Sequence, residues 1–344
     1  MASRIRIAID CMSGDHGPRS CVPAALKLLN TYTDTDIVLV GKAEEINQFL
    51  YSRDYPNLRI ENAPDIVAMD EKPVSALRNK PQSSMRIAID LLKHQKVDAV
   101  VSAGNTGALM TMGCAVLRTI PGIERPAICS AIPSGDTYCH LLDLGANVEN
   151  SAEHLYQFAI MGAALSTAVD DIHNPRVALM NIGAENFKGN EQVQLAAKLI
   201  DADRHLNYVG FLEGNDLFSG RADVVVCDGF VGNVALKVCE GTATHIVDVI
   251  REKFSGGLFA KCIALFAKPV LKAIYRELNP ARYNGASFLG LQGVLVKSHG
   301  DSTETSFYRA IVHARSEVEN NMLAGIRELI ADKLDTSRIN TIDN

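Results

Sequence analysis

A short apolar run, a polar turn and a helical pattern recur as a unit along this chain, and that unit narrows the fold more than any other feature. In residues 176–190, RVALMNIGAENFKGN, the run VALMNI reads as a buried parallel strand ending near Asn181. The pattern breaks at Gly183, passes through a loop holding Glu185, Lys188 and Asn190, and becomes helical at Glu191. The same unit begins at IRIAID, which leads into Ser13, Gly14, Asp15, His16 and Gly17. It returns at IVLVG (37–41), at LRIENAP (58–64) and at DAVVSA, which ends in Gly104, Asn105, Thr106 and Gly107. NYVGFL ends in Glu213, Gly214, Asn215 and Asp216, and DVVV ends in Asp228, Gly229, Gly232 and Asn233. Alternating strands and helices predict an α/β fold with a mostly parallel sheet and right-handed crossovers.

Two further strand patterns, AICSAIP and TYCHLL, are joined by PSGDT and predict a hairpin, so the sheet is mixed. Asp143 follows the apolar pair Leu141–Leu142, an unusual place for a carboxylate without a partner, and Asn147 lies just beyond it. Residues 70–81, DEKPVSALRNKP, are polar and flanked by proline, and read as a loop near a cleft. Toward the end, a glycine-rich strand leads to Lys297, Ser298, His299, Gly300, Asp301 and Ser302 at a helix start.

Free N–H groups and the positive end of a helix dipole meet at such strand ends, a geometry suited to anions. In a doubly wound sheet the polar strand ends converge on one cleft. Lys188 adds a full charge, while Asn105 and Thr106 offer an amide and a hydroxyl. The same residues also suit plain helix capping, by Ser13 or Asp15, by Asn105 or Thr106, and by Asp143. The first turn does not read GxGxxG, so a dinucleotide fingerprint is absent.

At 344 residues and 47% hydrophobic, the chain can bury a large core, as one α/β unit (1–344) or as two lobes sharing a cleft. A net charge of −6 argues against a nucleic-acid partner. The 8 cysteines form no CxxC and the histidines no HExxH, so reduced thiols are expected and no metal. The N-terminus enters a strand directly, without a signal-peptide pattern, which points to the cytoplasm.

Residues 254–280 are of another kind. Between residues 258 and 275 the only charges are Lys261, Lys268 and Lys272, among Leu258, Phe259, Leu265, Phe266 and other apolar side chains. This predicts a projecting amphipathic helical hairpin broken or kinked at Pro269. It suits a membrane surface, an acidic partner, or a dimer or core helix pair.

The motifs DCMSGDHGP, SAGNTGALM, LLDLGAN, NIGAENFKGN, DVVVCDGFVGNVALKVCEG and YNGASFLGLQGVLVKSHGDS span nearly the whole chain. In them the sequence resembles the PlsX family, the acyl-acyl-carrier-protein:phosphate acyltransferases of bacterial phospholipid synthesis. One departure is the first motif, where Cys11 and Ser13 stand in place of the family's Ala and Gly. The resemblance implies a Rossmann-like α/β/α sandwich, similar to isocitrate and isopropylmalate dehydrogenases and to phosphotransacetylases, and usually a homodimer. It implies transfer of a long-chain acyl group from the carrier protein's thioester to inorganic phosphate, with no cofactor. It also implies peripheral membrane contact, with the glycerol-3-phosphate acyltransferase that consumes acyl phosphate as a further partner. On that reading Lys188 is the principal cation. Asn105, Thr106, Asn147 and Asn233 are neutral donors, Asp143 orients one of them, and His299 is a proton donor to the leaving thiolate. Asp10, Gly14, Asp15, Gly104, Gly107, Asn181, Gly183, Glu185, Asn190, Asp228 and Gly229 line the phosphate and acyl site. Leu258, Phe259, Lys261, Leu265, Phe266, Lys268 and Lys272 meet the membrane or the carrier. The alternatives are a coenzyme-A-dependent phosphotransacetylase and a non-catalytic membrane scaffold that binds acyl carrier protein.

Overall fold

The computed structural model describes residues 4–50, 55–135, 137–278 and 284–331. Eleven strands form one sheet in the order β3-β2-β1-β4-β11-β10-β5-β6-β9-β7-β8. Their bounds are β1 Ile5–Asp10, β2 Thr35–Gly41, β3 Leu58–Asn62, β4 Ala99–Ser102, β5 Ala127–Ser134 and β6 Thr137–Leu142. The others are β7 Arg176–Met180, β8 Asn207–Leu212, β9 Val224–Val226, β10 Ala286–Leu289 and β11 Val294–Lys297. Each expected strand run forms, and β5 and β6 pair antiparallel as the PSGDT turn predicts.

Helices cover both faces, because most strands are apolar on both sides. One core joins Ile7, Ile9, Val101 and Val296 to α1 (Pro18–Thr31), α6 (Ala152–Asp170), α7 (Glu191–Asp201) and α10 (Glu304–Glu319). The other joins Ala8, Val100 and Leu295 to α4 (Ser84–Lys93) and α5 (Thr106–Leu117). A short helix, α2 (Ala43–Asn47), follows β2, and residues 322–331 form a further helix.

Residues 70–81 are not simply a loop. They contain α3, Pro73–Asn79. Pro73 occupies the start of that helix, where a missing N–H costs nothing and a fixed φ helps. The apolar segment also differs from expectation. α8 (Gly229–Ser255) and α9 (Leu258–Leu278) pack as the two arms of a hairpin far longer than 254–280. Pro269 lies inside α9 and does not end it. The carbonyl it leaves without a donor belongs to Leu265, an exposed position where water can take its place.

Direction matters most for function. The strands β3, β2, β1, β4 and β11 are mutually parallel. Three antiparallel pairings follow across β10, β5 and β6. The set β6, β9, β7 and β8 therefore runs the opposite way. Carboxyl ends of the two sets leave opposite edges of the sheet.

Candidate functional site

The polar strand ends fall into two groups, one at the ends of each of the two oppositely directed sets of strands. At the ends of β6, β7 and β9 lie Asp143, Asn147, Asn181, Gly183, Glu185, Lys188, Asn190, Asp228, Gly229 and Asn233. At the ends of β1, β4 and β11 lie Asp10, Gly14, Asp15, Gly104, Asn105, Thr106, Gly107 and His299.

In the first group Asp143 is fully buried and organises the loop under α8. Its Oδ1 accepts from the N–H groups of Ile128 (3.0 Å) and Ala146 (2.9 Å). Its Oδ2 accepts from the backbone N–H of Asn147 (2.7 Å) and from the Asn147 side chain (3.0 Å). Burial pushes its pKa up, against the pull of those donors. The Asn147 amide also donates to the Pro126 carbonyl (2.8 Å), so both its hydrogens are used. Asn147 thus holds structure and has no donor left for a ligand. The N-terminus of α8 sits tightly on this loop. Gly229 N–H donates to the Asn147 carbonyl (3.0 Å), and Asp228 caps the helix by accepting from Val231 N–H (2.9 Å). Asn233, one turn on, is exposed and lies against Gly145.

Lys188 crosses the face of Gly183, where a Cβ would come within 2.3 Å of its Cδ. Its ammonium pairs with Glu185 at 2.8 Å, an i,i+3 contact inside the loop. The hydrogen bond to Glu185 raises the lysine pKa, with Glu213 adding to the effect. Asn181 donates to the Lys188 carbonyl (3.0 Å), and Asn190 caps α7 by accepting from Val193 N–H (2.9 Å). Beside this loop a cavity of about 350 Å³ is lined by Leu155, Leu179, Met180, Val193, Val226 and Val231, with Asn181, Asn190 and Asp228 as polar walls. The turn of Gly104 to Gly107 does not line it.

In the second group Asp10, Ser102 and Lys297 stand in register on three adjacent parallel strands. Ser102 Oγ donates to Asp10 Oδ2 (2.7 Å) and accepts from Gly104 N–H (3.1 Å). Asp10 is 1% exposed, and its Oδ1 has no hydrogen-bond partner. Burial raises the Asp10 pKa, opposed by Ser84, Ser102, the Met12 N–H and Ser13. Ser13 Oγ donates to the Asp10 carbonyl (2.9 Å) and accepts from Ala103 N–H (3.0 Å), so it braces the turn after β1. Asp15 N–H donates to the Gly300 carbonyl (2.8 Å), closing the loops after β1 and β11 on each other.

Asn105 is spent on structure. Its Oδ1 accepts from Ala108 N–H (3.0 Å), and its amide donates to the carbonyls of Met69 (2.7 Å) and Glu71 (3.0 Å). Both hydrogens of its amide are therefore used, while Thr106 at the helix start stays exposed. The ring of His299 is half exposed, with Nδ1 at 2.5 Å from Asp301.

Lys297 is the site residue that sequence reasoning passed over. Its Nζ donates to the carbonyls of Ala103 (3.4 Å) and Ser298. Burial first, and then the charge of Lys237 on α8, lower its pKa to about 8 against the pull of Asp10, Asp15 and Asp301. In the sequence it is only a lysine closing a strand, indistinguishable from a solvated one.

Of the cationic segment, Leu265 and Phe266 are exposed. The side chains of Leu258, Phe259 and Lys261 lie outside the described residues. A cavity of about 390 Å³ lies between the arms, lined by Val247, Ile250, Phe254, Leu271, Ile274 and Tyr275. No described helix is long and apolar enough to cross a membrane. Among the described residues no three His, Cys, Asp or Glu side chains gather as metal ligands. The described cysteines, Cys11, Cys21, Cys114, Cys129, Cys139, Cys227 and Cys239, are free thiols.

Residues 5–324 match a family model described as fatty acid synthesis protein. A protein of Pseudomonas putida named phosphate acyltransferase is 51% identical over 331 residues, covering 95% of this chain and 98% of its own. Another of that name, from Alcanivorax borkumensis, is 48% identical and covers 96% of this chain and 97% of its own. Among solved structures, a phosphotransacetylase from Streptococcus pyogenes superposes with TM-score 0.62 at 15% identity, over 92% of this chain and 95% of its own. A branched-chain phosphotransacylase from Enterococcus faecalis gives 0.59 at 12% identity, over 91% of this chain and 99% of its own. These two likenesses speak to the fold alone.

Proposed function

The chain belongs to the family of fatty acid synthesis proteins whose relatives are named phosphate acyltransferases, and from that premise we propose that it makes acyl phosphate from a long-chain acyl-carrier-protein thioester and inorganic phosphate. The observation that carries this reading is near-half identity sustained over almost the full length of both chains. Chemistry on the page supports it. Phosphate is already anionic near neutral pH and needs positioning and charge compensation more than a strong base. A phosphate oxygen attacks the thioester carbonyl, the oxyanion forms, the C–S bond breaks, and the thiolate takes a proton. Lys188 supplies positive charge next to a largely apolar cavity suited to an acyl chain. Its pairing with Glu185 must loosen for it to act on phosphate. Asn233 offers an exposed amide near the N-terminus of α8, where the helix dipole favours negative charge.

The α8–α9 hairpin carries exposed Val234, Val238, Ile246, Leu265, Phe266 and Val270. Such a surface asks for cover, and a second copy of the chain along the arms with lipid at the tip supplies it. Peripheral attachment would place the enzyme where the acyl phosphate is consumed by the glycerol-3-phosphate acyltransferase.

The test is incubation of the protein with acyl-carrier thioester, with and without phosphate, trapping acyl phosphate as a hydroxamate. Product that depends on phosphate supports the reading. Equal or better turnover of acyl-coenzyme A would move it to a phosphotransacetylase, and no turnover with liposome binding would leave a scaffold. Lys188→Ala should lower kcat/KM at least about tenfold with folding intact, the loss of one charged hydrogen bond. Unchanged turnover would remove Lys188 from the centre.

A further inference from the structure

We propose that Lys297 forms a second anion subsite that holds a phosphate group at the carboxyl ends of β1, β4 and β11, with the charge of Lys237 on α8 adding to it. The inference rests on the acyltransferase reading for the origin of the phosphate, but the site itself stands on geometry.

Lys297 projects from the same face of the sheet as Asp10 and Ser102, at the same level of three parallel strands. Strand ends of this kind are where α/β sheets bind ligands, and α5 starts beside them at Thr106. Among the described residues the ammonium touches the carbonyls of Ala103 and Ser298, and no described carboxylate lies within ion-pair distance of it. Asp10, Asp15 and Asp301 act on it from farther off. A largely buried ammonium left without a counter-ion is costly. Here the cost is increased by a second lysine. Lys237, which itself pairs with Glu240 at 2.7 Å, is close enough to work against the charge on Lys297. Next to this pair the buried Asp10 keeps one oxygen without a partner. The two ammonium groups supply the charge for an incoming anion, and the free Asp10 oxygen, itself an acceptor, takes a hydrogen bond only from a phosphate that still carries a proton.

The contrast with Lys188 sharpens the point. Lys188 is neutralised within its own loop by Glu185, whereas Lys297 has no such partner among the described residues. The two groups are linked by α8, since Asn233 and Lys237 are four residues apart on one helix face. One helix therefore presents an amide to the first group and an ammonium to the second. Two sources have the right chemistry: inorganic phosphate itself, and the phosphodiester of the carrier's pantetheine arm.

The experiment uses the full chain and the variants Lys297→Met, Lys297→Arg and Lys237→Ala. Methionine keeps the length and packing of the stem, and Lys237 is exposed, so one variant stands if another misfolds. Rates are measured against inorganic phosphate, against acyl-carrier thioester, and against an acyl thioester lacking any phosphodiester. Lys297→Met is expected to raise one KM by about ten- to hundredfold, with partial rescue in Lys297→Arg and a smaller effect in Lys237→Ala. A rise in KM for phosphate with all thioesters assigns the site to inorganic phosphate. A rise confined to the carrier thioester assigns it to the arm. In the wild type, affinity for that substrate should fall as pH rises through about 8, where Lys297 loses its proton. KM values unchanged within twofold in folded Lys297→Met would overturn the subsite. Should the wild type show no phosphate-dependent turnover, the acyltransferase reading fails. Binding of inorganic phosphate and of pantetheine phosphate by calorimetry, wild type against Lys297→Met, then decides the subsite alone: weaker binding of either in the variant keeps it, and equal binding or none removes it.

Discussion

Replacing Asp143 by asparagine tests the seat of α8 with a change of only one atom type. The wild-type carboxylate receives four hydrogen bonds, two on each oxygen. Asparagine offers a single oxygen. Whichever way its amide turns, one pair of donors meets an NH2 group instead of an acceptor. The residue is 0% exposed, so water cannot fill in. Each buried donor left unpaired costs about 1–3 kcal/mol, so two such donors predict about 2–6 kcal/mol. Removing a buried charge offsets part of this, and the net expectation for Asp143→Asn is about 2–4 kcal/mol. Asp143→Ala loses all four bonds and opens a void, so its cost should be larger, about 4 kcal/mol or more. Urea unfolding followed by far-ultraviolet circular dichroism measures both, since the chain has no tryptophan to report by fluorescence. An asparagine variant within about 1 kcal/mol of wild type, at unchanged m-value, would refute the argument. It would mean that the four donors do not need two anionic oxygens.

Other expectations follow from single contacts. Gly232→Ala should destabilise by about 1–3 kcal/mol although alanine normally favours a helix, because its Cβ would lie 1.9 Å from the Asp143 carbonyl oxygen; a stabilised variant would show that α8 can shift freely. Burial alone would raise the Asp223 pKa, but hydrogen bonds from Arg176 hold it below its usual value. Its contribution should therefore be present above the unfolded value near 3.9 and be lost only as pH falls through the lower folded value. The stability gap between wild type and Asp223→Asn should thus stay constant from about pH 5 to pH 8, and a gap already halved at pH 5 would contradict this sign. Phe266 is 87% exposed and Leu265 69%, so the double change to serine should weaken binding to anionic liposomes by about tenfold or more while leaving turnover of soluble substrate intact; unchanged sedimentation with liposomes would move the membrane contact elsewhere.

Much of this protein was open to reading from local pattern alone. Apolar runs such as IRIAI and VVV become strands because burial on both faces needs no distant information. Caps at Asn105, Asn190 and Asp228 form because a side-chain oxygen reaches an N–H three residues on, and residue type decides that. The same capping explains why Asn105, read as a ligand donor, is instead occupied, and Asn147 is lost to its neighbours Asp143 and Pro126 in a similar way. Strand direction was beyond local pattern. The loop lengths and polar ends look alike in both halves of the chain, yet three antiparallel pairings reverse one half and send its strand ends off the other edge of the sheet. Lys297 shows the same limit in one residue. Its identity is plain in the sequence, but its burial beside Ser102 and its exposure to the charge of Lys237 depend on strands and a helix that meet only when the whole sheet has closed.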